Sequence, residues 1–136
     1  GVNDTAKIFA SHLIPEKWLN KFTIRQPIQI YSNSEDFYLK DVSDYECLKE
    51  ELLGFFEEYT MPLLEELTCE KDYLTLYENK DKRIIWDNNQ FLYVASAYFN
   101  EHRLKEASQV IEKRFGKKGL RKQYKEVFDF FENIEY

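Results

Sequence analysis

The stretch FLYVASAYFNEHRLKEASQVIEKRF, residues 91–115, carries the most regular pattern in the chain. Small residues stand at Ala95 and Ala107, and large apolar ones at Phe91, Val94, Tyr98 and Ile111. Two antiparallel helices need small side chains where their backbones approach and large ones where grooves must be filled. The spacing therefore predicts a helical hairpin, with helices over 88–100 and 103–115 and the turn at NEHR, residues 100–103.

This pattern resembles a single tetratricopeptide repeat over residues 88–120, with Ala95 and Ala107 in the small positions. The resemblance implies a hairpin of the type that holds protein partners. Two residues depart from it: Arg114 stands where the pattern has a small residue, and Gly119 where it often has Pro. No second copy precedes or follows, and about three repeats are needed to build a continuous core and groove. Two readings stay open, a hairpin packed into an ordinary domain and a hairpin that presents a partner-binding groove. Residues 20–115 are also similar to small bacterial domains of unknown function. That likeness lies in the order of short strands, a long helix broken at TMPLLEEL (60–67), a short capped helix and the hairpin.

Outward from the hairpin, residues 120–134 predict a last helix. Upstream, Leu48, Leu52, Phe55, Phe56, Tyr59, Leu63, Leu64 and Leu67 recur at helical spacing. Ser43 and Glu46 form a capping-box signature ahead of them, and Pro62 predicts a kink or break near Thr60. Thr68 is the expected cap of a shorter helix with Tyr73, Leu74 and Tyr77 inward. Residues 4–21 predict one or two short helices, the second opened by Pro15. FTIRQPIQIY (22–31) alternates at period two and predicts a strand, with Pro27 marking an edge or bulge. FYLKDV (37–42) predicts a second strand; a lone hairpin is marginal in water, so it must pack on helices or gain a third strand, for which KRIIW (82–86) is the candidate. The expected fold class is α+β and helix-dominated, one domain over 1–136. A small N-terminal antiparallel β-hairpin or sheet packs on a helical bundle that ends in the helical hairpin.

At 136 residues the length suits one domain. An aromatic share of 17% points to a core of Phe, Tyr and Leu, since bulky rings bury much area each. No apolar run approaches the roughly 20 residues that span a bilayer, so no membrane partner is expected. The chain begins at Gly1, as a tag scar or a processed terminus leaves it. Cys47 and Cys69 make no disulfide framework; both fall in helical patterns, where Cys usually acts as a small apolar residue. The expected location is cytoplasmic. Lys outnumbers Arg, and Asn, Tyr, Phe and Ile are plentiful, the bias of an AT-rich bacterial genome.

For chemistry, only two histidines, His12 and His102, are present, and no Cys–His or Ser–His–Asp set is legible. Zinc-finger spacing, an HExxH pair and phosphate-binding glycine motifs are all missing, so no catalytic residue, metal or cofactor is expected. Charge is segregated. Residues 35–78 hold 14 acids and three bases, a net −11, while residues 113–125 hold seven bases and no acid. The leading expectation is a non-enzymatic domain for protein–protein contact, of immunity or regulatory type, with another protein as partner. The candidate partner-binding residues are Glu50, Glu51, Glu57, Glu58, Tyr98 and His102. An acidic face that blocks a basic nuclease is its narrower form. The alternatives are an enzyme whose site the fold alone assembles, and a nucleic-acid binder. The latter uses Lys117, Lys118, Arg121, Lys122 and Lys125 on phosphates, where GKKG (116–119) is similar to the GXXG loop of KH domains. Gly116 reads more plainly as a helix C-cap. The expected state is a monomer or weak homodimer, because exposed ion pairs contribute only about 0–1 kcal/mol and salt screens them. A tighter dimer needs an apolar patch, for which Trp18, Trp86 and Tyr136 are the candidates.

Overall fold

A computed structural model of the chain describes residue 26 and residues 42–134. The helices expected over 4–21, the strand at 22–31 (Gln26 apart) and most of the second strand lie outside these residues. Among the described residues, seven α-helices and one π-helical turn follow in order: α1 Val42–Phe55, the π turn Phe56–Thr60, α2 Met61–Glu66, α3 Glu70–Glu78, α4 Asn88–Asn100, α5 Leu104–Phe115, α6 Lys118–Gln123 and α7 Lys125–Glu132.

The α+β class is overturned. Among the described residues there is no strand and no sheet. Val42, the last residue of the expected second strand, opens α1 and is 89% exposed. KRIIW forms turn and irregular loop instead of a third strand. Its β-branched and aromatic residues serve another purpose: Ile84 is buried in the core, and Trp86 Nε1 donates to the Asp81 carbonyl at 2.9 Å.

α4 is the central element. Leu92 to Tyr98 are buried without interruption, so the helix is apolar all round, as a core helix must be. Asp87 caps it by accepting from the Gln90 N–H at 3.1 Å. Its fully buried serine, Ser96, donates back to the Leu92 carbonyl at 2.8 Å and is thereby satisfied. α3 packs on one side and α5 on another, with Ala107, Val110, Ile111 and Phe115 forming the inward stripe of α5. The hairpin stands where its spacing predicts. The expected last helix is split at Tyr124 into α6 and α7, and α7 lays Val127, Phe128 and Phe131 against this core.

α3 and α4 end in the same way. The Lys80 N–H donates to the Tyr77 carbonyl and the Asp81 N–H to that of Leu76; the His102 N–H donates to Phe99 and the Arg103 N–H to Tyr98. Both are Schellman closures, and the residue after each cap is left-handed, Lys80 at φ 53° and His102 at φ 59°. Glycine meets this conformation without steric cost, whereas other residues lose about 1–2 kcal/mol. His102→Gly is therefore expected to raise stability by about 0.5–1 kcal/mol, part of the gain being offset by the freer unfolded chain. A urea titration checks this; a lowered midpoint means that the imidazole makes contacts worth more than the relieved strain.

Near Thr60, where Pro62 predicts a kink or break, the α-helical pattern gives way to the π turn and resumes at Met61. Proline offers no N–H and its ring crowds the carbonyl four residues back, so the preceding turn widens and the Met61 N–H reaches the Phe56 carbonyl. Thr60, in this widened turn, donates through Oγ1 to Gln26 Oε1 at 2.7 Å. Of the apolar stripe, only Leu63 is buried, while Leu52, Phe56 and Leu64 are 39%, 48% and 48% exposed. α1 begins at Val42, so Ser43 lies inside its first turn instead of ahead of it. At α3 the N-cap is Cys69, one residue after the expected Thr68. Asp72 accepts from the Thr68 hydroxyl and from the Thr68 and Cys69 N–H groups, which holds its carboxyl below the usual range. Cys47 and Cys69 are both free and exposed, not packed as small apolar residues.

Tyr73 and Gln90 form a polar pair inside the core. The Tyr73 hydroxyl donates to Gln90 Oε1 at 2.7 Å, and burial pushes that phenol well above its ordinary pKa, so it remains a donor. Gln90 Nε2 has no hydrogen-bond partner among the described residues. Tyr73→Phe leaves the buried amide without any partner and is expected to cost about 1–3 kcal/mol. Adding Gln90→Leu is expected to recover most of that loss, because removing both polar groups avoids the stranded one. Urea midpoints of the two single variants and the double variant give the coupling; additive losses exclude it.

Candidate functional site

The chain from the end of α3 to α4 folds back over Tyr77. Tyr77 meets Trp86 edge-on at 5.4 Å between ring centroids, Phe91 at 6.0 Å and Tyr98 at 6.3 Å. Tyr73 adds a further contact to Trp86 at 5.7 Å. These are the spacings at which aromatic quadrupoles attract, and they fix the rings in one arrangement. Burial raises the pKa of Tyr77 and of Tyr98, and both stay neutral.

Between Tyr77, Trp86 and Phe91 on one side and α5 on the other lies a cleft of about 360 Å³. Val110 lines it from α5. Its mouth carries Glu78, Lys80, Lys113 and Arg114. The acid is already engaged: Glu78 Oε1 accepts from the Tyr98 hydroxyl at 2.9 Å and lies 3.2 Å from Arg103. The three cations stand differently. No ion pair involves Lys80, Lys113 or Arg114 among the described residues. Arg114 is nonetheless held in place. Its guanidinium lies over the Phe91 ring, 4.7 Å from the centroid, and its Nε donates to Asn88 Oδ1 at 2.8 Å.

The other described arginines each hold two carboxylates. Arg83 pairs with Glu66 and Asp81, Arg103 with Glu78 and Glu106, and Arg121 with Glu112 and Glu132. Against that rule, Arg114 has a positioned, planar fork and no acid among the described residues. The cleft thus offers apolar ring faces at its wall and oriented positive charge at its mouth. It can take a ligand that is apolar at one point and anionic beside it.

The residues singled out from sequence fall elsewhere. Glu50, Glu51, Glu57 and Glu58 are exposed along α1 and the π turn. Tyr98 is only 4% exposed and is occupied by Glu78, so it offers no open surface. His102 is exposed, and its position is explained by the left-handed turn that it closes. Of the phosphate candidates, Arg121 is paired with two acids and stacked on Phe128 at 4.0 Å, and Lys125 is paired with Asp129. Lys117, Lys118 and Lys122 remain exposed. Gly116 does cap α5, with an ordinary φ of −67°. It is needed for room, since a Cβ there would lie 2.3 Å from the Glu112 carbonyl oxygen. Trp86 belongs to the wall of the cleft, while Trp18 and Tyr136 lie outside the described residues.

Among the described residues no three His, Cys, Asp or Glu side chains gather where a metal ion could sit, and no helix is long and apolar enough to cross a membrane. Protein-family models, curated proteins and solved structures give no match to the chain.

Proposed function

We propose that the chain is a non-enzymatic interaction domain whose partner is another protein, engaged at the α3–α4–α5 face. The observation that carries this reading is the pairing of an aromatic-walled cleft with three cations that no acid among the described residues neutralises. Protein interfaces concentrate Tyr, Trp and Arg at their energetic centres, for their large rigid area and their planar donors. The resemblance of the α4–α5 hairpin to a partner-holding repeat points the same way. The free, exposed Cys47 and Cys69 suit a reducing compartment, and we assign the domain to the cytoplasm on that ground. Co-purification of the tagged chain from its native host tests the interaction. A discrete protein retained through mild salt is expected. Its absence across that range removes the reading.

Nucleic-acid binding is the second reading, supported by the exposed Lys117, Lys118 and Lys122. The internal pairs of Arg121 and Lys125 weaken it, because cations already neutralised release fewer counterions from phosphates. A mobility shift with single-stranded RNA and duplex DNA at low salt decides it.

A further inference from the structure

We infer that the cleft beneath Arg114 recognises an acidic peptide segment carrying one aromatic side chain, the ring entering between the wall of Tyr77, Trp86 and Phe91 and Val110 of α5, and a neighbouring carboxylate meeting Arg114 and Lys113. This names the partner's chemistry and rests on the proposed interaction role.

Three features fix the occupant. The first is size and surface. A volume of about 360 Å³ walled by three rings admits one aromatic side chain in edge or stacked contact. The second is sign. Lys80, Lys113 and Arg114 rim the opening, and the single acid there, Glu78, is held by Tyr98 and Arg103. A basic or neutral partner would leave three like charges crowded at the contact, whereas an acidic one compensates them. The third is preorganisation. Stacking on Phe91 and the Asn88 hydrogen bond use the face and the Nε of Arg114, and its two terminal nitrogens meet no partner among the described residues. Those nitrogens form the fork that grips a carboxylate through two parallel bonds. Because the fork is already ordered, binding costs less rotamer entropy than recruiting a free surface arginine.

The test is a titration of the intact chain with short capped peptides, followed by fluorescence anisotropy. The probe has one phenylalanine between aspartates; controls replace the phenylalanine by alanine, or the aspartates by lysines. Binding is expected for the probe alone, weakening as salt rises. Lys113→Glu, an exposed change that leaves the core intact, is expected to weaken it by roughly tenfold or more. Arg114→Lys should weaken it too, since a point charge cannot reproduce the stacked, bidentate fork. Lys122→Glu, away from the cleft, should leave it unchanged. Equal binding of the alanine or lysine controls overturns the assignment, as does indifference to Lys113→Glu. Displacement of the probe by a mononucleotide but not by excess unlabelled peptide makes the cleft a small-anion site and also overturns it. A native partner retained equally by the parent and by Lys113→Glu overturns the cleft proposal while the interaction reading stands. Loss of any native partner, with peptide binding intact, does the reverse.

Discussion

Ala107→Glu is expected to destabilise the domain by at least about 2 kcal/mol and towards the roughly 3–5 kcal/mol seen when a buried charge has no partner. Ala107 has no exposed surface and belongs to the inward stripe of α5. A glutamate there must either force the hairpin apart or lose its charge, because an isolated carboxylate in low dielectric is held above its ordinary pKa. The pH dependence has a definite sign. With the folded-state pKa raised, the native state binds the proton more tightly than the unfolded chain, so stability falls as pH rises from the ordinary glutamate range to the raised value. The variant should thus melt lowest at neutral pH and recover part of the loss in mild acid. Thermal melts at both pH values check it; a variant within a few degrees of the parent at neutral pH would falsify the inward orientation of Ala107 on α5.

The same alanine shows why this part of the fold was legible. Small residues at Ala95 and Ala107, set among large ones, are a local signal of close helix approach, and the helices fall at Asn88–Asn100 and Leu104–Phe115. KRIIW misled for a physical reason. Ile84 and Trp86 are apolar because they anchor a connecting loop into the core, and a short apolar run does not reveal whether it pairs as a strand or hooks a loop. The stripe that runs from α1 through the π turn into α2 was legible as a helical face and no further. Its helical period is real, but a period states which residues share a face and not whether a partner covers that face, and Leu52, Phe56 and Leu64 remain partly exposed.

The cleft was not legible, because its parts come from the end of α3, the loop at Trp86, the first turn of α4 and the last turn of α5. Only closure of the hairpin brings them together. One signal did exist. Arg114 occupies a position where the repeat pattern has a small residue, and the structure shows its guanidinium lying over Phe91. A residue that breaks a helix-contact rule while the helices still close around it is a candidate for function. The acidic candidates Glu50, Glu51, Glu57 and Glu58 had no comparable signal. Their exposed, regular spacing is what any solvated helix face presents.

Phe115→Ala tests how the C-terminal helices are joined to the rest. Phe115 ends α5 with no exposed surface, and its ring lies 4.1 Å from that of Tyr124, the residue at which α6 gives way to α7. Truncation removes the largest fully buried side chain of the core, and a cavity of that origin costs about 3–5 kcal/mol when its walls cannot collapse. Phe115→Leu keeps most of the volume and should lose far less, about 1.5 kcal/mol or under. Urea unfolding followed by far-ultraviolet circular dichroism separates two outcomes. If α6 and α7 fold as one unit with the hairpin, the alanine variant unfolds in a single transition at a much lower midpoint, with the slope unchanged. If they are a separate unit docked through Phe115, part of the helical signal is lost first and the remainder melts near the parent midpoint. The first result is expected, because Val127, Phe128 and Phe131 belong to the same buried cluster as Ile111 and Val94. A loss below about 1 kcal/mol, in one transition, would mean that α7 draws its stability from contacts other than this ring.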